Sequence, residues 1–109
     1  MTNLTEREKA FEAKYQHDQE LAFKVNVRRN KLLGLWAAAL MNLSKDEAAA
    51  YAKAVIQSDF ERPGNSDVLE RVLKDLTGRG VDMSAHRVRK EMDRLLEVAK
   101  SEIMRETGS

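Results

Sequence analysis

Basic side chains are the residues of this sequence best suited to bind a charged ligand, and they form two clusters. The first lies between Leu21 and Leu43, where no acidic residue occurs, and consists of Lys24, Arg28, Arg29 and Lys31. On a helix, Lys24, Arg28 and Lys31 share one face because their spacing is i, i+4, i+7. The cluster is a candidate contact for a phosphate, a nucleotide or an acidic partner. The alternative is a solvent-exposed face that pairs with acids of another helix.

The second basic cluster surrounds the start of the last predicted helix. Its members are Arg79, His86, Arg87, Arg89 and Lys90. Free backbone N–H groups at a helix N-terminus add positive potential, so Arg87 and Arg89 are candidates for holding an anion such as a nucleotide phosphate. The alternative is salt bridging with Glu91, Asp93 and neighbouring acids. We expect no resident cofactor, and at most weak binding of ADP or ATP.

Groups that would support catalysis or metal binding are sparse. The two histidines, His17 and His86, are not paired with a second ligand at helical spacing. Cysteine is absent, which excludes disulfides and thiolate chemistry. The stretch Gly78-Arg79-Gly80 lacks the spaced glycines and the lysine of a phosphate-binding loop. We therefore predict that the protein is not an enzyme and has no metal site.

Composition and charge narrow the class of protein further. The formal net charge of the 109 residues is +1, which predicts no general attraction to nucleic acid or to a membrane surface. The N-terminus lacks the apolar run of a secretory signal. The longest uncharged run, Leu32 to Ser44, is shorter than the roughly 20 residues that span a bilayer. We expect a single-domain, soluble, cytoplasmic protein with no direct membrane insertion.

The elements that position these residues are predicted to be four helices. Alternating strand patterns are missing, whereas strong helix formers dominate. The first helix is predicted to begin at a capping box at Thr5 and to end near Met41, with Asn42 as a left-handed terminator. The second follows a capping box formed by Ser44 and Glu47. The predicted fold class is therefore all-α, a small four-helix bundle.

The third and fourth helices are predicted from their caps and apolar spacing. The third spans about Asp67 to Thr77, is capped by Asn65 or Ser66, and ends at the glycines that follow. The fourth begins after Ser84 and continues to about residue 106.

Each predicted helix has an apolar face at helical spacing. The first helix contributes Val25, Leu32, Trp36, Leu40 and Leu43. The second contributes Ala48, Tyr51, Ala52, Val55 and Ile56. The third contributes Val68, Leu69, Val72, Leu73 and Leu76. The fourth contributes Val88, Met92, Leu95, Leu96, Ala99 and Ile103. Gly34, inside the first helix, costs about 1 kcal/mol relative to alanine, which indicates close packing against a neighbouring helix.

The N-terminal half of the first helix is unlike the rest of the chain. The helix would be about 37 residues and roughly 55 Å long, against roughly 33 Å for the next longest. Its N-terminal half has only a narrow apolar seam, formed by Leu4, Phe11, Tyr15 and Ala22, so burial would offset little of the ordering entropy. We predict a mobile N-terminal arm, residues 1–20, extending from a bundle of residues 21–106, with a disordered tail at 107–109. A narrow aromatic seam is typical of a helix that binds in a groove of a partner.

Several stretches together resemble a known family. The string RRNKLLGLWAA, residues 28–38, is the most specific, and REKAFEAKY, residues 7–15, Asp59-Phe60 and Pro63-Gly64 add to it. In these stretches the chain closely resembles the zeta inhibitor subunit of alphaproteobacterial F-type ATP synthases, and the likeness covers nearly the whole chain. Asn42 replaces the glycine of many members. Asparagine tolerates the left-handed conformation, so this departure affects only the helix terminus.

The resemblance implies a four-helix regulator of ATP hydrolysis. Its N-terminal segment would become helical on inserting into the catalytic head of the synthase beside the rotor stalk, and would block rotation in the hydrolysis direction. The inhibitory segment would be Thr5 to about His17, anchored by Phe11 and Tyr15. Its polar contacts would be Arg7, Glu8, Glu12 and Lys14. We expect a monomer when free, peripheral to the inner membrane through the synthase.

A second hypothesis is a helical nucleic-acid-binding domain. It would use the two basic clusters, above all Arg28, Arg29 and Lys31 with Arg87, Arg89 and Lys90. The near-zero net charge and the acids of the fourth helix weigh against this hypothesis, because phosphate binding depends on an excess of positive charge.

Overall fold

The chain folds into four helices. The computed structural model describes the backbone of residues 2–62 and 64–108, and the side chains of residues 18–62 and 66–108. The helices are α1 (Thr2–Leu40), α2 (Lys45–Glu61), α3 (Asn65–Gly78) and α4 (Ala85–Thr107). No strand occurs in these residues, so the predicted all-α four-helix fold is confirmed. α1 packs mainly on α2 and α4, and α3 closes the bundle against all three other helices.

α1 starts earlier than predicted and ends as predicted. It begins at Thr2, so Thr5 is an interior position rather than the N-cap, because residues 2–4 contain neither proline nor glycine to stop the helix. At the other end Asn42 has a φ of 57°, and the Leu43 N–H donates to the carbonyl of Ala38 at 3.1 Å. This left-handed closure satisfies carbonyls that the helix end would otherwise leave free.

The predicted caps of α2 and α4 are confirmed. Ser44 Oγ accepts from the Glu47 N–H at 3.2 Å, and Glu47 Oε1 accepts from the Ser44 N–H at 3.0 Å. Ser84 Oγ accepts from the Arg87 N–H at 3.2 Å. α4 continues through Thr107, one residue beyond the predicted end of the bundle, and Gly108 closes it in the left-handed conformation.

The predicted cap of α3 is wrong. The helix begins at Asn65, and its N-cap position is occupied by Gly64, which has a φ of 148° and makes no side-chain cap. Ser66 is therefore already inside the helix. Gly64 has a backbone conformation that only glycine adopts readily. It forms the turn after α2, and the helix begins at the next residue, before Ser66.

The hydrophobic core lies where α1 meets the other helices, but on a different face of α1 from the predicted one. Leu33, Ala37 and Met41 are buried at its centre, whereas Leu40 is 39% exposed. Leu32, Trp36 and Leu43 pack around the edge of the core. The prediction centred the apolar face on Trp36, whereas packing of the bundle turns the face centred on Ala37 toward the other helices.

The apolar faces predicted for the other three helices are confirmed. Their buried members are Ala52 and Val55 of α2, Val68, Leu69, Val72 and Leu76 of α3, and Val88, Met92, Leu95, Ala99 and Ile103 of α4. Tyr51 also links α2 to α3, because its hydroxyl donates to Asp75 Oδ2 at 2.7 Å. Burial, with the Asp75 carboxylate beside it, raises the pKa of Tyr51, so it stays protonated.

Gly34 marks the closest approach of α1 and α2. A Cβ atom added there would lie 2.6 Å from the Ala52 Cα and 3.2 Å from its Cβ. The obstacle is backbone, which cannot rotate away. The predicted close packing at Gly34 is therefore confirmed, and it sets the distance between the two helices.

The molecule is elongated because α1 is much longer than the helices it packs on. The principal extents are 66 × 24 × 22 Å, and the 39 residues of α1 correspond to about 58 Å of helix. The 23 residues of α4 correspond to only about 35 Å. Along the described side chains of α1, Arg29 is the first that is buried, so the bundle holds the C-terminal half of this helix.

We expect Gly34→Ala to destabilise the fold by about 1–3 kcal/mol, because α1 and α2 must separate to admit the methyl group. Urea unfolding followed by circular dichroism measures the change. Gly78→Ala is the matched control, since a Cβ there meets nothing within 4 Å, and it should leave stability unchanged or slightly raised. Equal stability of the two variants would contradict the close contact.

Candidate functional site

The six side chains predicted to contact a partner lie outside the side chains that the structure describes. They are Arg7, Glu8, Phe11, Glu12, Lys14 and Tyr15, all within the N-terminal part of α1. The structure does describe the side chains of the six basic residues predicted to contact an anion. It also describes the surface of α1 that follows the arm.

Arg28 is held by two carboxylates near the end of α4. Its Nη1 donates to Glu102 Oε1 at 2.7 Å, and its Nη2 donates to both oxygens of Glu106, at 2.7 and 2.9 Å. The hydrogen bonds that Arg28 donates to Glu102 and, second in size, to Glu106 raise the pKa of Arg28. Of the two alternatives for this cluster, Arg28 therefore follows the second, pairing with acids of another helix. An anionic ligand would have to displace these carboxylates.

Arg29 follows neither alternative, because it is buried. Only 3% of the residue is exposed, and its Nε and Nη2 donate to Asn30 Oδ1 at 3.2 and 3.0 Å. Burial lowers the pKa of Arg29, and the charges of Asp59 and Asp93 oppose that shift. An arginine keeps its charge under such conditions, so this guanidinium is a fixed positive charge inside the bundle.

Asn30 and Asp59 complete a polar network that the sequence did not single out as a site. The buried Asn30 donates from Nδ2 to Asp59 Oδ2 at 3.0 Å. Asp59 Oδ1 accepts in turn from the Gly64 N–H at 3.4 Å. The network links α1 to the end of α2 and to the turn before α3. Its signal in the sequence is the string RRNKLLGLWAA together with Asp59-Phe60, both of which belong to the family resemblance.

Two of the basic residues, Arg29 and Arg89, reach the same small cavity of about 150 Å³. Asp93 lines it too, so the cavity contains both signs of charge. Its other lining residues are Ser66, Leu69, Met92 and Leu96. Arg87 is bound elsewhere, since its Nη1 donates to the carbonyl of Asp82 at 3.0 Å. The six candidate anion contacts therefore do not converge on one site, and nucleotide binding stays a prediction.

Lys24 and Lys31 remain at the surface. Both are exposed, and within the described part of the chain neither ammonium group forms an ion pair. They border a groove of about 520 Å³ between α1 and α4, together with Phe23, Val27, Arg28, Ile103, Glu106 and Thr107. The groove has an apolar floor and a basic rim.

Near its end toward the arm, this groove adjoins two exposed aromatic rings. Phe23 is 54% exposed and Phe60 is 56% exposed. Their ring centroids are 5.6 Å apart and the rings are tilted by 38°, so the last turn of α2 contacts α1 three residues after the predicted end of the arm. Periodicity along one helix does not reveal such a pair, because the two rings belong to different helices that only the fold brings together.

The arrangement weakens the nucleic-acid hypothesis. Arg28 is engaged by carboxylates and Arg29 is buried, which removes two of the cations on which that hypothesis depends. Among the described residues, no group of three or more acidic or histidine side chains could hold a metal ion. None of the described helices has the length and apolar character that crossing a membrane would require.

We expect Asn30→Leu to destabilise the bundle by about 2–4 kcal/mol, because the change removes the acceptor of a buried guanidinium and the donor to Asp59. Chemical unfolding measures the loss. Asn26→Leu, on an exposed position of the same helix, is the control and should change stability by less than about 0.5 kcal/mol. If both variants unfold at the same urea concentration, the network does not stabilise the fold.

Comparison with known proteins places the chain in a family. A family model described as ATPase inhibitor subunit zeta matches residues 1–102. A solved structure, determined by solution NMR, is 45% identical to this chain with a TM-score of 0.67, and the match covers 77% of this chain and 95% of that one. Comparison with curated proteins gives no match. Because the family model covers the arm and most of the bundle, the chain belongs to the ATPase inhibitor subunit zeta family.

Proposed function

We propose that the chain inhibits ATP hydrolysis by an F-type ATP synthase through its N-terminal arm, residues 1–20. The arm folds as a helix into the catalytic head beside the rotor stalk and blocks rotation in the hydrolysis direction. Membership of a family of ATPase inhibitor subunits supports the inhibitory role. The mechanism rests on the shape of α1 and on the residues of the arm.

The observation that carries the proposal is the length of α1 relative to the bundle. Its 39 residues exceed the 23 of α4 by about 24 Å of helix. The first described side chains, Asp18 to Glu20, are all exposed. A helix that is longer than its neighbours has no neighbouring helix to pack against along the extra length. We infer that the N-terminal part of α1 is available to another protein.

The sequence of the arm suits binding in a groove rather than packing in a core. Phe11 and Tyr15 are one helical turn apart and would anchor the arm, because aromatic residues account for much of the affinity of protein interfaces. Arg7, Glu8, Glu12 and Lys14 would form polar contacts around them. A charged helix of this kind gains its apolar contacts only on binding, which makes the arm a separable, reversible inhibitor.

The bundle, residues 21–106, acts in this proposal as the stable body that presents the arm. Within the part of the chain whose side chains are described, every buried residue comes from residue 29 onward, which supports the bundle as the stable body. The free protein is proposed to be a monomer. We propose that it is cytoplasmic and that binding to the synthase holds it at the inner membrane.

Deletion of Met1 to His17 should abolish inhibition while the remaining bundle stays folded. ATP hydrolysis by the isolated catalytic head is titrated with full-length and shortened protein, and circular dichroism monitors the helices of each. The reason is that the deletion removes both proposed anchors and leaves every buried residue of the described part of the chain in place. A shortened protein that inhibits as strongly as the full chain would disprove the role of the arm.

Phe11→Ala combined with Tyr15→Ala should raise the half-inhibitory concentration at least tenfold, about 1.4 kcal/mol of binding free energy. The melting temperature should stay nearly constant, because both residues belong to the proposed arm and not to the proposed bundle, residues 21–106. Gln16→Ala combined with Gln19→Ala changes the same arm without removing an anchor and serves as the control. Equal inhibition by the two double variants would show that the aromatic seam is not the binding face.

A further inference from the structure

The surface of α1 immediately after the arm has the character of a protein-binding site. It comprises the exposed pair Phe23 and Phe60 and the groove with its apolar floor, Val27 and Ile103, and its lysines, Lys24 and Lys31. We propose that this docking surface binds an acidic, partly apolar segment of the catalytic head, next to the place where the arm inserts. The proposal rests on the proposed function, because it takes the synthase as the partner.

The aromatic pair forms the apolar part of the docking surface. Four large apolar side chains in the described part of the chain are more than a third exposed: Phe23, Leu40, Phe60 and Met104. Phe23 and Phe60 contact each other, so they form one patch rather than isolated surface residues. Two phenyl rings with more than half of their surface in water are suited to burial against another protein.

Charge determines what kind of partner fits. Arg28 is paired with both Glu102 and Glu106, so its one positive charge meets two negative charges and this group adds no positive charge to the groove. This leaves the two ammonium groups of Lys24 and Lys31, which face solvent without an ion pair among the described residues. An acidic segment with apolar side chains would place carboxylates on the rim and apolar groups on the floor.

The docking surface lies next to the arm along α1. Phe23 and Lys24 lie within one helical turn of residue 20 on the same helix. A catalytic head that holds the arm as a helix would therefore come close to these residues. Contacts by the bundle would then add to those of the arm, because the second contact is intramolecular once the first has formed.

Phe60→Ser tests the apolar part, because it removes an exposed ring on α2 without changing the arm. When ATP hydrolysis is titrated with the full-length Phe60→Ser variant, the half-inhibitory concentration should be about tenfold higher than that of the unmodified chain. Leu40→Ser is the matched control, an exposed apolar residue about 26 Å along α1 from Phe23, and it should inhibit like the unmodified chain. Melting curves for both variants establish that the bundle stays folded.

Charge reversal tests the basic rim. Lys24→Glu with Lys31→Glu should weaken inhibition about tenfold and reduce its dependence on salt. Lys45→Glu with Lys90→Glu makes the same change of net charge at exposed positions elsewhere on the bundle, and should have little effect. Equal weakening by both pairs would indicate general attraction between opposite charges and would overturn the proposed docking surface.

A photo-cross-linking experiment separates direct contact from an indirect effect on α1. The chain has no cysteine, so Glu61→Cys and Lys45→Cys give single attachment points for a photoreactive maleimide at opposite ends of α2, about 24 Å apart. We expect the label at residue 61 to cross-link to a catalytic-head subunit and the label at residue 45 to give no product. No product from residue 61, with the protein still inhibiting, overturns the docking surface and leaves the arm mechanism intact.

Two further outcomes are distinguishable. If the unmodified chain does not inhibit hydrolysis, the proposed function fails, and this inference fails with it. If the Phe60→Ser and lysine variants inhibit normally but lose binding to vesicles of phosphatidylcholine and phosphatidylglycerol, the surface is a membrane contact, and the docking proposal is wrong.

Discussion

Backbone contact between α1 and α2 at Gly34 and Ala52 fixes the register of the bundle. In the packed bundle Leu33, Ala37 and Met41 face the core, while Leu40 turns toward solvent. The same contact decides which part of α1 belongs to the bundle. The buried residues described in this part of the chain run from Arg29 to Met41. More than half of the 39-residue helix therefore lies on the N-terminal side of Arg29.

The polar residues next to this contact give the bundle its specificity. Arg29 is buried against Asn30, and Asn30 is bound to Asp59. A buried charge is costly unless polar groups surround it, and such a network excludes packings that would leave it without partners. This explains why four basic residues close together in the sequence have different environments. One is buried, one is paired with α4, and two lie on the surface.

The two halves of α1 have different roles in the proposed function. Its C-terminal half contributes residues to the described core, whereas its N-terminal half is proposed to bind the partner. Between the two halves, Phe23 contacts Phe60 of α2.

The sequence by itself determined the four helices, the capping box at Ser44, the left-handed end at Asn42 and the close packing at Gly34. The helices, the capping box and the helix end depend on residues within a few positions of one another, so propensity and spacing predict them. The close packing at Gly34 was indicated by the cost of a glycine inside a helix, although its partner Ala52 is distant in the sequence. The family, too, was evident from short strings of residues. What only the tertiary structure decided is the core face of α1, the burial of Arg29, the partners of Arg28 and the contact of Phe23 with Phe60. Glu102 is 74 positions from Arg28, and Phe60 lies on a different helix from Phe23. The environment of a charge or a ring is fixed by groups that the fold brings near, and no pattern along one helix specifies them.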